Sequence, residues 1–411
     1  MSSVIDVAII GAGPYGLSIA AHLDAAGVEY RIFGAPMEAW QHHMPSGMRL
    51  KSYGESSNLF DPQMSYTLED FCREKRIDYH PTMISVELET FIAYGKAFQE
   101  RFAPRVERKQ LIALTPTYRG HELHFDNGET VTAKRVVIGV GITPFKRTPP
   151  SLAHLPPPLM THSSDHGLLD SLDGREITIV GSGSSALDIA ALASMRGATV
   201  TIVSRSPEAH FQNPPDPTPS LLHQALFPTA NGLGGGWLLR FYGDAPQLVH
   251  LLPDRVRGAI LKKTLGPSGG YFIRDQIAQK VTLKLGREIE AAEERGDRVR
   301  LTTIAKDGTR ETIESDHLVA ATGYRVDVGR LAFLAENTRR NLRTVNDTPV
   351  LSSDFESSER GLYFVGVASA RSFGPVMRFV VGAIHPARRL SRILQQNLLR
   401  RPISVSTTLP N

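Results

Sequence analysis

The segment DVAIIGAGPYGLSIAAHLDAAGVEYRIFGAP, residues 6–36, aligns without a gap on EITIVGSGSSALDIAALASMRGATVTIVSRS, residues 176–206. In each segment an apolar run leads through a glycine-rich turn into an alanine-rich stretch, and a second apolar run follows a later glycine. This order predicts a β-strand, a helix and a parallel β-strand, the unit that binds dinucleotides. Because the unit occurs twice in the same register, the sequence predicts an α/β fold with two Rossmann-like dinucleotide-binding domains.

The small residues in the two turns have the spacing that dinucleotide phosphates require. The matching positions are Gly11, Gly13 and Gly16 in the first segment and Gly181, Gly183 and Ala186 in the second. The first position makes the turn, the second lets the backbone approach the pyrophosphate, and the third packs the helix against the strand. Free N–H groups at the start of the helix then face the phosphates. The alternative is a pair of tight turns that bind nothing.

The two segments differ where the second strand ends, at the position that usually holds an acid for the ribose hydroxyls. The first segment has Gly34 there, and its nearest carboxylate is Glu38. We expect Glu38 either to reach the ribose or only to cap a helix. The second segment has Ser204 and Arg205, and an arginine without a nearby acid suits the 2′-phosphate of NADP. Alternatively, Arg205 is only a solvent-exposed side chain at the end of a strand.

A second pattern recurs in each half of the chain. Residues 111–141 and 299–324 each predict a β-meander, with Asn-Gly and Asp-Gly as hairpin turn signals. Residues 207–275 interrupt the second unit and predict a helical cap that faces the substrate, or else a structural bracket. The predicted domains are the first part of one dinucleotide-binding domain at 1–150, the other dinucleotide-binding domain at 151–315, and the second part of the first domain at 316–411.

Composition limits the classes of function. The chain has 411 residues and a net charge of +4, an excess too small to favour nucleic acid as a partner. Cys72 is the only cysteine, so the chain has neither an internal disulfide nor a Cys-x-x-Cys redox pair. No apolar run approaches the roughly 20 residues of a membrane span, and no leader pattern precedes the first strand, so we expect a cytoplasmic location. The adjacent His42 and His43 do not predict a metal site.

Five motifs spread over nearly the whole chain carry a family resemblance. They are GAGPYGL near the N-terminus, GVGITP at 139–144, THSSDH at 161–166, GSGSSALDIA in the second turn and DHLVAATGY at 316–324. With these motifs the chain resembles the class B flavin-dependent monooxygenases, which include flavin-containing monooxygenases, Baeyer–Villiger monooxygenases and ornithine or lysine N-hydroxylases. The resemblance implies that the first Rossmann unit holds FAD and the second holds NADPH.

Some details separate the branches of that family. ATGY and HSS are most similar to the N-hydroxylase branch, whereas SSNLFDP at 56–62 is more similar to the flavin-containing branch, in which an asparagine faces the flavin. Besides lacking the usual acid after the second strand, the chain departs from the fingerprint FxGxxxHxxx(W/Y). Pro156 and Pro158 replace its phenylalanine and glycine, His162 keeps its place, and His166 stands at the last position.

The resemblance also implies a reaction. NADPH would reduce FAD, and the reduced flavin would react with O₂ to form a C4a-hydroperoxide inside a pocket that excludes water. That species would oxygenate a nitrogen or sulfur centre or a carbonyl of a small molecule. Because the cofactor performs the difficult chemistry, few acid or base side chains are needed. The expected partners are therefore a small-molecule substrate and O₂, and the oligomeric state stays open.

The resemblance assigns roles by position. Asn58 and His162 are the candidate catalytic residues. Asn58 is expected near the flavin, or alternatively is only a turn residue. His162 is expected with Ser163 along the NADPH channel, or alternatively has only a structural role. The residues expected at FAD are Gly11, Gly13, Pro14, Tyr15, Gly16, Glu38, Trp40, Gly366, Phe373, Gly374 and Pro375. Those expected at NADPH are Gly181, Gly183, Ser184, Ser185 and Arg205, and those expected at the domain junction are Thr322, Gly323 and Tyr324.

Two other functions share these features. An NAD(P)H-dependent flavoprotein reductase would pass electrons to a partner, although the single cysteine excludes a disulfide oxidoreductase. A non-catalytic sensor would keep FAD for structure, and the intact glycines at both sites argue against it.

Overall fold

Two large sheets, each containing one copy of the repeat, form the framework of the protein. A computed structural model describes residues 4–216, 236–264, 266 and 268–399. Within these residues a seven-stranded and a five-stranded sheet are accompanied by one three-stranded and two two-stranded sheets. The predicted α/β fold with two dinucleotide-binding units is confirmed. In the described residues no helix is both long and apolar enough to cross a membrane.

The first sheet has the first copy of the repeat at its centre. Its strands are β1 (Ile5–Ile10), β2 (Tyr30–Phe33), β5 (Val106–Glu107), β6 (Leu111–Thr117), β7 (Gly120–Phe125), β8 (Thr130–Ile138) and β19 (Leu362–Phe364). β5, β2, β1, β8 and β19 are parallel neighbours in that order, and β6, β7 and β8 form an antiparallel meander. All six residues of β1 are buried, as expected for a central parallel strand. The predicted Asn-Gly turn joins β7 to β8.

Helices and a small ribbon pack around the first sheet. The helices are α1 (Pro14–Ala25), α2 (Glu38–His42), α3 (Leu68–Lys75), α4 (Leu88–Phe102) and α12 (Ile384–Leu399), and the ribbon strands are β3 (Arg49–Tyr53) and β4 (Ser85–Glu87). α1 packs against α4 and α12, and it begins with a proline, which needs no N–H partner in the first turn. α3 begins at a capping box in which the side chains of Thr67 and Asp70 each accept a backbone N–H.

The second sheet is entirely parallel and contains the second copy of the repeat. Its strands in spatial order are β12 (Val281–Leu285), β11 (Thr199–Ser204), β10 (Glu176–Val180), β16 (His317–Ala320) and β9 (Met160–His162). The helices α5 (Ser184–Met195) and α9 (Arg274–Lys280) cover one face, and the meander β13 (Arg287–Arg295), β14 (Arg298–Ala305) and β15 (Arg310–Ser315) covers the other. The predicted Asp-Gly turn joins β14 to β15. β16 belongs to this sheet, so the second unit extends past the boundary predicted at residue 315.

The insertion after β11 is helical in its described part. Its helices are α6 (Trp237–Asp244), α7 (Pro246–Leu251) and α8 (Asp254–Lys263). The other α-helices and strands of the described residues are α10 (Glu336–Asn341), α11 (Ala370–Phe373), β17 (Thr344–Val345) and β18 (Thr348–Pro349). Arg371 on α11 pairs with Asp254 on α8 at 2.6 Å. Residues 217–235 of the predicted cap lie outside the described residues. The described helices of the insertion therefore pack on the C-terminal segment.

Candidate functional site

A cavity of about 1320 Å³ lies between the two dinucleotide-binding units, and both glycine turns open into it. The predicted site residues that line it are Gly11, Gly13, Pro14, Tyr15, Glu38, Trp40, Ser163, Gly183, Ser184, Ser185, Gly323, Tyr324 and Gly366. The predicted residues that do not line it are Gly16, Asn58, His162, Gly181, Arg205, Thr322, Phe373, Gly374 and Pro375. The fold thus brings both predicted phosphate sites and the predicted junction to one cavity.

The first glycine turn leaves room for phosphate groups. Gly11 has φ +111°, and a Cβ there would lie 2.3 Å from the carbonyl oxygen of Gly139. A Cβ at Gly16 would lie 1.8 Å from the carbonyl oxygen of Gly11, so α1 packs too closely for any side chain. A Cβ at Gly13 would meet nothing within 4 Å, and α1 has no side-chain cap. The open face and the uncapped N–H groups fit a pyrophosphate, as FAD requires.

The second glycine turn repeats this geometry. Gly181 has φ +124°, and a Cβ there would lie 2.3 Å from the carbonyl oxygen of Ala321, whereas Gly183 again faces open space. α5 begins without a side-chain cap, and Ser184 and Ser185 add two hydroxyl groups at its start. This second cradle fits the phosphates of a second dinucleotide.

The backbone shapes the ribose end of the first turn. Gly34 has φ +124°, a conformation that residues with side chains adopt only under strain, and its N–H donates to the carbonyl oxygen of Glu107 at 2.9 Å. An acid at position 34 is therefore disfavoured by conformation. Glu38 is exposed at the start of α2 and lines the cavity. Asp126 also lines the cavity, but its carboxylate accepts the N–H of Gln110 at 3.0 Å.

The matching strand end of the second unit is built differently. Ser204 is buried; its hydroxyl lies 2.8 Å from that of Ser182 and accepts the N–H of Ser206 at 3.2 Å. Arg205 is exposed, lies outside the cavity lining, and has neither a hydrogen bond nor an ion pair to another residue in the described part of the chain. Arg205 is thus the side chain at this strand end that stays available to a ligand.

Asn58 lies in a turn and not in the cavity wall. Its side-chain nitrogen donates to the carbonyl oxygen of Glu55 at 3.0 Å, and its side-chain oxygen accepts the N–H of Leu68 at 2.8 Å. Both ends of the amide thereby tie the turn at 54–56 to the start of α3. These two hydrogen bonds match the turn role that the sequence left as the alternative for Asn58.

His162 is buried behind the cavity wall at the end of β9. Its Nδ1 accepts the N–H of Ser164 at 3.1 Å, so the ring proton lies on Nε2, which donates to the carbonyl oxygen of Gly323 at 3.2 Å. Burial lowers the pKa of His162, and its ring packs edge-on against Tyr324, with centroids 5.3 Å apart. His162 therefore holds the turn at Gly323 and Tyr324, which do line the cavity.

The other predicted residues outside the lining support its walls. At the junction, the hydroxyl of Thr322 donates to the carbonyl oxygen of Arg147, and the N–H of Arg147 donates to the carbonyl oxygen of Gly323 at 2.9 Å. In the C-terminal segment, Phe373 stacks on Phe355 with centroids 3.9 Å apart. Gly374 and Pro375 follow this stack, and residues 377–380 a little further along the chain line the cavity.

Sequence reasoning did not assign three polar residues of the cavity wall, Lys51, Asp188 and His43, to the site. Lys51 on β3 and Asp188 on α5 form an ion pair at 2.7 Å, and both line the cavity. His43, which also lines the cavity, donates from Nδ1 to the carbonyl oxygen of Ser164 at 2.8 Å. An acid in an otherwise apolar helix requires a partner. The sequence therefore indicates that Asp188 has a partner, but it does not indicate that the partner is Lys51.

A family model for pyridine nucleotide-disulphide oxidoreductases matches residues 5–224. The chain belongs to this family. Over 353 residues it is 23% identical to indole-3-pyruvate monooxygenase YUCCA1 of Oryza sativa subsp. japonica, and the alignment covers 78% of this chain and 77% of the rice protein. The prediction of an oxidoreductase that resembles the flavin-dependent monooxygenases is confirmed.

Solved structures share the fold at low sequence identity. The ornithine N-hydroxylase of Kutzneria sp. 744, solved with reduced FAD, NADP⁺ and L-ornithine, has a TM-score of 0.76 at 16% identity and covers 96% of this chain and 100% of its own. A bacillithiol disulfide reductase of Bacillus cereus has a TM-score of 0.65 at 17% identity and covers 96% and 100%. The same fold therefore serves both oxygenation and disulfide reduction.

The chain lacks the cysteine pair of a disulfide relay. Cys72, its only cysteine, is buried in α3 and does not line the cavity, and burial raises the pKa of its thiol. Among the described residues no three metal-ligating side chains come together. Cys72 therefore has no cysteine partner in this sequence and lies away from the cavity.

Proposed function

We propose that the protein is an FAD- and NADPH-dependent monooxygenase that oxygenates a nitrogen or sulfur centre or a carbonyl of a small molecule. The observation that carries the proposal is the single cavity into which both glycine turns open. Two dinucleotides bound there would share one enclosure, which favours direct transfer between them. The similarity to the rice indole-3-pyruvate monooxygenase supports oxygenation as the outcome.

In this proposal each unit binds one dinucleotide. The first turn and the start of α1 bind the pyrophosphate of FAD, and Glu38 binds its adenosine ribose. The second turn with Ser184 and Ser185 binds NADPH, and Arg205 binds its 2′-phosphate. Bound FAD supplies the redox and oxygen chemistry, and the protein orients the reactants and excludes water.

The cavity wall suits the exclusion of water. Apolar side chains from the first unit and the C-terminal segment contribute to it, namely Met44, Met48, Leu50, Phe333, Val365, Val367 and Met377, and Ile189 contributes from α5 of the second unit. A dry enclosure strengthens electrostatic interactions and protects reactive species from hydrolysis. His162 contributes indirectly, because it fixes the turn at Gly323 and Tyr324 in that wall.

Stopped-flow absorbance tests the proposal before the substrate is known. The FAD-loaded protein is reduced with NADPH without oxygen and is then mixed with oxygenated buffer. We expect an intermediate spectrum that belongs to neither reduced nor oxidised flavin and that persists long enough to be resolved. A single-phase return to oxidised flavin, with and without amines and sulfides as probe substrates, would overturn the proposal.

The fold shared with the disulfide reductase favours one second candidate. It is an NAD(P)H-dependent flavoprotein reductase that passes electrons to a partner, and not through a disulfide of its own, because Cys72 is alone and lies outside the cavity. For such a reductase we expect single-phase reoxidation by oxygen and fast turnover with an artificial electron acceptor.

A cytoplasmic location remains a prediction.

A further inference from the structure

An ion pair joins the two dinucleotide-binding units inside the cavity wall. Nζ of Lys51, on β3 of the first unit, lies 2.7 Å from Oδ1 of Asp188, on α5 of the second. The two side chains are only 7% and 5% exposed, less than those of any other ion pair between described residues. The pair therefore sits where the two predicted dinucleotide sites meet, shielded from solvent.

Further groups hold each charge in place. The ammonium of Lys51 also donates to the carbonyl oxygen of Arg49 at 2.9 Å and lies over the ring of Phe272, 5.2 Å from its centroid. The hydroxyl of Ser184 donates to Oδ2 of Asp188 at 3.4 Å. Because Ser184 is the first residue of α5, the pair links β3 to the phosphate-binding end of the second unit.

Stability alone does not explain a buried ion pair at this place. Removing two charges from water costs about as much free energy as their attraction returns, so apolar side chains of similar size would serve stability equally well. Burial raises the pKa of Asp188, and Lys51 opposes that rise. Unlike an apolar contact, the ion pair fixes how β3 and α5 are oriented, because charge-assisted hydrogen bonds fix both the distance and the angle between their groups.

We propose that Lys51 and Asp188 are positioning residues for hydride transfer, an inference that rests on the proposed function. The step moves a hydride, which is two electrons and one proton, from NADPH to FAD and leaves NADP⁺ and reduced FAD. Transfer requires the reacting atoms to lie about 3–3.5 Å apart, so a small shift of one unit slows it. The pair fixes the NADPH-binding end of α5 against β3 and thereby sets that distance.

Three variants separate positioning from stability: Lys51→Met, Asp188→Leu and the two combined. Each single variant leaves one buried polar group without its partner, and we expect a lower Tm for both. The double variant removes both charges, and we expect its Tm to return close to that of the wild type. Arg49→Met is the matched control from the same strand, because it removes a more exposed ion pair with Glu87 together with a hydrogen bond to the carbonyl oxygen of Ser85; we expect a small decrease in Tm and the wild-type rate.

The decisive measurements are made on the oxidised, FAD-loaded double variant without oxygen. We expect NADPH to reduce its flavin at least about tenfold more slowly than in the wild type. We expect NADP⁺ to bind with nearly unchanged Kd, since a group that acts only on transfer changes the rate and not the affinity. The NADP⁺-induced difference spectrum of the flavin should change, because it reports the relative position of the two dinucleotides.

Wild-type flavin reduction in the double variant would overturn the proposal and reduce the pair to a packing contact. Wild-type reduction in both single variants would overturn it as well. These measurements use only the reductive half of the reaction. A failed oxygen experiment would therefore remove the monooxygenase proposal and leave this test standing, whereas a wild-type rate here would leave the monooxygenase proposal intact.

Discussion

At the scale of single residues, the backbone conformation of Gly34 explains why the usual ribose-binding acid is absent from the end of β2. At φ +124° a glutamate would carry a strain of about 1–3 kcal/mol, so conformation explains why no acid ends β2. Glu38 is exposed and lines the cavity, and its carboxylate has no hydrogen-bond partner among the described residues. The acid that the ribose requires is therefore available one short turn further along the chain.

Glu38→Ala tests this transfer of the ribose contact. We expect the affinity for FAD to fall about 10- to 100-fold, because a hydrogen bond that involves a charged group contributes about 1.5–3 kcal/mol. Titration of the FAD-free protein with FAD measures the effect, and the Tm of the FAD-free protein should change little because the side chain is exposed. Glu29→Ala, an exposed acid outside the cavity, is the control. Unchanged FAD affinity in Glu38→Ala would assign the ribose to backbone groups or water.

At the scale of elements, β7 contains a histidine that makes folding sensitive to pH. His121 is 1% exposed, and neither of its ring nitrogens has a hydrogen-bond partner among the described residues. Burial lowers the pKa of His121 to about 4, below the value of about 6.5 for an unfolded chain. Between these values the unfolded state binds more protons than the folded state, so the free energy of unfolding decreases as the pH falls.

His121→Leu should weaken this dependence. One proton contributes a slope of up to about 1.4 kcal/mol per pH unit, and the variant lacks it, so we expect its Tm to fall less than the wild-type Tm between about pH 6.5 and about pH 4. Thermal unfolding over a pH series is the measurement. Leu123→Ala, a buried residue of the same strand without a titratable group, should lower the Tm at every pH and keep the wild-type profile. The same pH profile in His121→Leu and the wild type would contradict this account.

The elements that sequence reasoning predicted are those with local signals. The strand–helix–strand units and the Asn-Gly and Asp-Gly turns follow from the pattern of near neighbours. The sequence did not predict that the side chains of Asn58 and His162 point away from the cavity. Their orientation depends on hydrogen bonds to the backbone of Leu68 and of Gly323. A motif places a residue in the fold, whereas tertiary partners decide whether its side chain faces the cavity or supports the wall from behind.

At the scale of the whole molecule, the site depends on contacts between distant parts of the chain. Lys51 and Asp188 are 137 positions apart, and no periodicity connects them. The need of a buried acid for a partner is predictable, but the choice among the lysines and arginines requires the packing of β3 against α5. The ligand-binding turns could therefore be predicted from sequence, and the contact that joins the two units could not.

The last prediction concerns Arg205 and rests on the proposal that the first unit binds FAD and the second binds NADPH. If the second unit selects NADPH through its 2′-phosphate, Arg205→Ala should weaken NADPH binding about 10- to 100-fold, the range of a charge-assisted hydrogen bond. NADH binding should stay nearly unchanged, because only NADPH carries that phosphate. The dependence of anaerobic flavin reduction on coenzyme concentration gives both Kd values. Glu38→Ala serves as the crossed control, with weaker FAD binding and unchanged NADPH binding once FAD is saturating. Equal losses for NADPH and NADH in Arg205→Ala would mean that Arg205 only supports the end of β11.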